Sequence, residues 1–112
     1  MILSKTVPRL SRLRYVLRVI EDHYMRETIS ESDIVESVRS EGLKIEMERA
    51  KYTALRVNIV KTSEAYESRL QTQATETTRL MKRWNIIKPT KIRREYFWGS
   101  GIVRTILSSV ST

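Results

Sequence analysis

Between Lys82 and Trp98 the chain interleaves cations with aromatic rings: Lys82, Arg83 and Trp84, then Lys88, Lys91, Arg93 and Arg94, then Tyr96, Phe97 and Trp98. Phosphates need cationic donors and exposed bases need flat apolar faces, so this stretch offers both halves of nucleic-acid binding. A second basic surface comes from Arg12, Arg18 and Arg26, which at ~100° per residue lie on one side of an N-terminal helix, with Tyr15 and Val19 among them. Spread over successive turns, they would follow a phosphate backbone and fix position without reading sequence. The competing reading places Trp84, Phe97 and Trp98 in a small core and pairs the arginines with Glu31, Asp33 and Glu36 in the acidic middle of the chain.

Catalytic and metal chemistry finds no support in the residue types. The chain has no Cys and a single His, so thiolate sites, cysteine nucleophiles and histidine-rich metal centres are excluded. Glu21, Asp22 and His23 are consecutive, and consecutive side chains on a helix diverge, which makes His23 a helix-surface histidine in this reading. Serines lack a paired base, and Gly99-Ser100-Gly101 is too short for a phosphate-binding loop. The expectation is a non-enzymatic protein with no cofactor.

Charge is distributed in blocks. Residues 1–20 carry five bases and no acid, residues 21–50 nine acids against four bases, and residues 81–112 seven bases against one acid. The formal net charge is +8, and arginine outnumbers lysine by 14 to 7, which favours planar contact with phosphate or carboxylate. Basic ends flanking an acidic middle imply a negatively charged partner at the termini. The Arg-rich, acid-free first twenty residues also have the composition of an uncleaved mitochondrial targeting helix. No apolar run reaches the length of a membrane span, so the membrane is not crossed, and peripheral contact with anionic lipid stays compatible with the basic ends.

Elements able to position these residues follow from periodicity. Three Gly and two Pro argue for a mainly all-α fold in one domain. A basic amphipathic helix within residues 1–28 runs from about Pro8 to Arg26 and packs through Leu10, Leu13, Leu17 and Ile20, with Tyr24 beyond. A short acidic helix follows within 29–42: Ser30 caps it, Asp33 answers as the third residue, Ile29 and Ile34 form a staple, and Gly42 ends it. Residues 43–88 read as a long central helix. Its first stripe is Leu43, Met47, Ala50, Ala54 and Val57, and its second is Tyr66, Leu70, Gln73, Thr77, Leu80 and Trp84. Unbroken, it would extend about 60 Å, too long for one small domain to cover, so part of it would seek another chain or break near Thr62-Ser63. Residues 89–112 form a basic-aromatic arm, irregular or a hairpin turning at Gly99-Ser100-Gly101.

Taken together, these features point to a structural protein that self-associates or packs through its helices and holds RNA or DNA by phosphate contacts from its basic ends. A coat, nucleoprotein or ribonucleoprotein subunit fits, in a virion or cytoplasmic nucleoprotein. The alternative is an accessory or assembly subunit of a larger protein complex, mitochondrial in location. A third reading is a helix-turn-helix DNA-binding protein whose second helix starts at Glu46. Glu46 and Glu48 would face phosphates there, ahead of Arg49, Tyr52 and Arg56, which counts against it.

Overall fold

The computed structural model describes residues 10–49 and 64–111. In chain order these form α1 (Leu10–His23), β1 (Thr28–Ser30), α2 (Glu31–Arg49), α3 (Glu64–Arg83), β2 (Ile87–Pro89), β3 (Glu95–Trp98) and α4 (Ser100–Ser111). The fold is mainly helical with one small antiparallel sheet in the order β1-β3-β2. Ile29 pairs with Tyr96, and Ile87 with Trp98, so one face of the sheet is apolar and closes the core. That core joins Val16, Val19 and Ile20 of α1, Ile34 and Val38 of α2, Met81 of α3, Ile86 and Ile87 beyond it, and Val103 of α4.

The capping box is formed as the sequence predicts. The Asp33 backbone N–H donates to Ser30 Oγ at 3.1 Å, and the Ser30 N–H donates to Asp33 Oδ2 at 3.0 Å. Burial alone would raise the Asp33 carboxyl. The hydrogen bonds from Ser30, with His23 and Arg26 close by, outweigh burial and hold it below its ordinary value.

α2 does not stop at Gly42. The helix continues to Arg49, and Gly42 serves a close approach instead: a Cβ there would lie 2.9 Å from Leu70 Cδ2 on α3 and 3.7 Å from the Tyr15 hydroxyl on α1. A glycine read as a helix end is thus the point where three helices meet. Nor is 43–88 one rod. Arg39 donates to Glu67 at 2.8 Å although 28 residues separate them, which a straight helix would hold about 42 Å apart. α2 and α3 therefore lie against each other, and Tyr66, Leu70 and Leu80 are buried within this chain. Of the earlier stripe, Leu43 is half-buried and Met47 is 57% exposed, while Ala50, Ala54 and Val57 lie outside the described residues.

The buried face of α1 is rotated about 100° from the leucine stripe. Tyr15, Val16, Val19 and Ile20 are buried, Leu13 and Leu17 only half so, and the Leu10 side chain lies outside the described residues. The cause sits on α2. Glu41, nearly buried, takes Arg14 at 2.8 Å and Arg18 at 3.5 Å, while Glu48 takes Arg14 at 3.0 Å, so the arginine side of α1 becomes a seam between helices.

α3 ends earlier than periodicity alone suggests. Asn85 adopts φ 58°, its N–H bonds the Lys82 carbonyl at 3.1 Å, and the Ile86 N–H reaches back to the Met81 carbonyl at 2.9 Å. These two bonds close a left-handed helix end, which Asn tolerates better than most residues. Trp84, expected to finish the helix stripe, is half-buried just beyond the helix. A hairpin does follow, but it turns through residues 90–94, not at Gly99-Ser100-Gly101. Ser100 instead opens α4, whose Val103, Ile106 and Leu107 face the core at helical spacing.

Candidate nucleic-acid interface

α3 presents two faces of opposite character. Tyr66, Leu70, Ala74, Thr77, Leu80 and Met81 point inward, and Ser68, Gln71, Thr72, Thr75, Arg79, Lys82 and Arg83 are exposed on the other side. From Ser68 onward the centre of that outward face carries no acid. Glu76 is half-buried at its flank, and Glu67, nearer the helix start, is held by Arg39.

The hairpin loop stands beside this face. Thr90 folds it through bonds between its hydroxyl and Ile92, Arg94 takes φ 63°, and the Glu31 N–H at the start of α2 donates to the Arg94 carbonyl at 2.8 Å. That last bond fixes the loop against α2. A cleft of about 500 Å³ runs between the α2 start, Gln71 of α3, and Arg93 and Arg94 of the loop. A second of about 360 Å³ joins Lys82 to Thr90 and the same loop arginines. Lys82, Arg93 and Arg94 are exposed along these clefts and Lys91 is exposed in the loop, while Lys88 is exposed on the sheet face that carries Phe97.

Among the described residues, Arg79, Lys82, Arg83, Lys88, Lys91 and Arg93 have no carboxylate within ion-pair distance. Arg94 lies 3.8 Å from Glu31. Comparison with protein-family models, curated proteins and solved structures found no match. Residue placement alone therefore carries the functional reading.

The other basic surface is arranged differently. Arg18 is engaged by Asp22 at 3.1 Å as well as by Glu41, and Arg26 lies 3.8 Å from Asp33. The Arg12 side chain lies outside the described residues. The competing reading of this stripe thus describes Arg18 and Arg26, with Glu41 and Asp22 as principal acids that charge blocks alone did not single out.

Two aromatic residues of the interleaved stretch, Tyr96 and Trp98, turn inward. Tyr96 is buried with Lys82 Nζ 5.0 Å from its ring centre, and Trp98 meets Tyr24 edge to face at 5.8 Å. Phe97, on the opposite sheet face, is 46% exposed. Tyr96 and Trp98 serve the core, so a platform of stacked bases loses two of its expected members, and phosphate contact becomes the stronger chemistry of this surface.

His23 is buried, not a surface histidine. Ser37 Oγ donates to Asp22 Oδ2 at 2.8 Å, which leaves His23 Nε2, 3.0 Å away, as the donor to Ser37. The serine proton is directed at the carboxylate and away from the imidazole, the reverse of nucleophile activation. Among the described residues, no group of three or more His, Cys, Asp or Glu side chains could hold a metal ion, and no helix is long and apolar enough to cross a membrane.

No second helix begins at Glu46, where the helix-turn-helix reading put it, because α2 runs unbroken from Glu31 to Arg49. Glu46 and Glu48 belong to α2, the Arg49 side chain, Tyr52 and Arg56 lie outside the described residues, and the exposed polar helix is α3. One signal for α3 was present in the sequence: Ser68, Thr72, Thr75, Arg79 and Lys82 recur at three- and four-residue spacing, a polar stripe opposite the apolar one.

Proposed function

We propose that this protein binds duplex nucleic acid, with α3 lying in a groove and the hairpin loop gripping the adjacent phosphates. The supporting observation is the outward face of α3, free of acids from Ser68 onward at its centre, together with six exposed cations on α3, the hairpin and its loop that have no carboxylate partner among the described residues. A side chain desolvated against its own acid has little left for a phosphate, whereas an unpaired surface cation exchanges condensed counterions for the protein at no such cost. Ahead of the final helix, the described elements run helix, strand, helix, helix, strand, strand, an order found in winged helix-turn-helix modules, a likeness of arrangement only.

Duplex is favoured over single strands because Tyr96 and Trp98 are given to the core. Titrating a labelled 20-base-pair duplex of mixed sequence at rising salt tests the proposal. With about six phosphate contacts, affinity is expected to fall roughly a thousandfold between 50 and 200 mM salt. Absence of binding, or binding indifferent to salt, would overturn it.

A further inference from the structure

Two threonines occupy the centre of the outward face of α3, and their hydroxyl hydrogens are already committed. Thr72 Oγ1 donates to the Ser68 carbonyl at 3.0 Å, and Thr75 Oγ1 donates to the Gln71 carbonyl at 3.0 Å. Both residues are exposed. With the hydroxyl turned back onto the helix, each side chain has a methyl group and spare acceptor lone pairs left to offer, and no donor.

We infer that Thr72 and Thr75 form an apolar patch that reads the C5 methyl of thymine, which makes the partner DNA. This rests on the duplex-binding reading above and names the substrate class of that same face. Major-groove edges are distinguished by their donors, acceptors and the thymine methyl, and a threonine methyl is suited to the last of these. Gln71 is exposed beside the pair, and its amide has the donor and acceptor that match the adenine edge. A helix presenting methyls and one amide at its middle, with Arg79, Lys82 and Arg83 at its far end and Arg69 exposed in its second turn, is suited to a groove wide enough to admit it. B-form DNA has such a groove, whereas the RNA major groove is deep and narrow.

The test uses the full chain and two 20-base-pair duplexes that differ only at C5: alternating adenine–thymine, and the same sequence with uracil replacing thymine. Each lost methyl is expected to cost about fourfold, so two contacts give roughly fifteenfold weaker binding to the uracil duplex. Thr72→Ser with Thr75→Ser keeps the hydroxyl and removes the methyl, and is expected to bind both duplexes alike. Thr72→Val with Thr75→Val keeps the methyl and is expected to preserve the difference. Equal affinity of the unaltered chain for the two duplexes, with salt-dependent binding intact, would overturn this inference and leave the duplex reading standing. Failure to bind either duplex would instead remove the reading on which it rests.

Discussion

Replacing Arg79 and Arg83 together by Glu is expected to weaken duplex binding by roughly a hundredfold or more, while the unfolding midpoint stays where it was. Both guanidinium groups are exposed on α3, and neither has an acid partner among the described residues, so the folded chain loses no internal contact when they change. What it loses is two cations on the outward face of α3, replaced by two anions that a phosphate backbone repels. A control with the same change in net charge is Lys44→Glu with Arg104→Glu, both exposed on other helices. If overall charge alone attracted the nucleic acid, the two double variants would weaken binding equally; this reading requires the α3 pair to have much the larger effect. The slope of log affinity against log salt should also fall by about two for the α3 pair.

The second large effect concerns the fold that holds this face in place. Gly99→Ala is expected to destabilise the chain by about 3 kcal/mol, a sizeable part of the few kcal/mol by which small domains are stable. A Cβ at Gly99 would overlap the Asn85 carbonyl oxygen, a backbone atom that cannot swing aside. The same junction carries the Gly99 N–H to Ile86 carbonyl bond at 2.8 Å, and Asn85 is itself fixed at φ 58° by the end of α3. Moving either strand of this contact would shift α4 away from the core or disturb the α3 terminus. Gly101 provides the contrast. Nothing lies within 4 Å of a Cβ there, and it sits in α4, so Gly101→Ala is expected to be neutral or to stabilise by about 0.5–1 kcal/mol. Urea unfolding of the two variants checks the pair, and an unchanged midpoint for Gly99→Ala would contradict the packing described.

Much of the helical framework was legible because it depends on local chemistry. Ser30 and Asp33 three residues apart specify a reciprocal cap whatever surrounds them, and the cap forms as read. Tyr66, Leu70 and Leu80 declared an inward face at helical spacing, and that face is buried. What failed was decided by distant partners. Gly42 looks like a helix stop until Leu70 and Tyr15 are brought against it, and Tyr15 and Val19 look solvent-facing until Glu41 draws the arginine side of α1 onto α2.

The strands were hidden for a different reason. At three or four residues each they are too short to display alternation, and their pairing joins residues as remote as Thr28 and Phe97. Asn85, following Lys82 and Arg83 in the last turn, was a readable helix end overshadowed by the apolar run beyond it. For the candidate site, the cations of residues 82–94 were visible in composition. Only the fold shows that Arg18 and Arg26 face their own carboxylates, that Tyr96 is covered, and that Gln71 joins the loop arginines around one cleft.

The most direct measurement is an amide and side-chain resonance footprint of the chain titrated with a 20-base-pair DNA duplex. Shifts concentrated on Gln71, Thr72, Thr75, Arg79, Lys82 and Arg83 and on the loop from Lys88 to Arg94, with α1 quiet around Arg14 and Arg18, are the predicted result. Shifts centred on the arginine side of α1, or an α3 unmoved at saturation, would contradict the account.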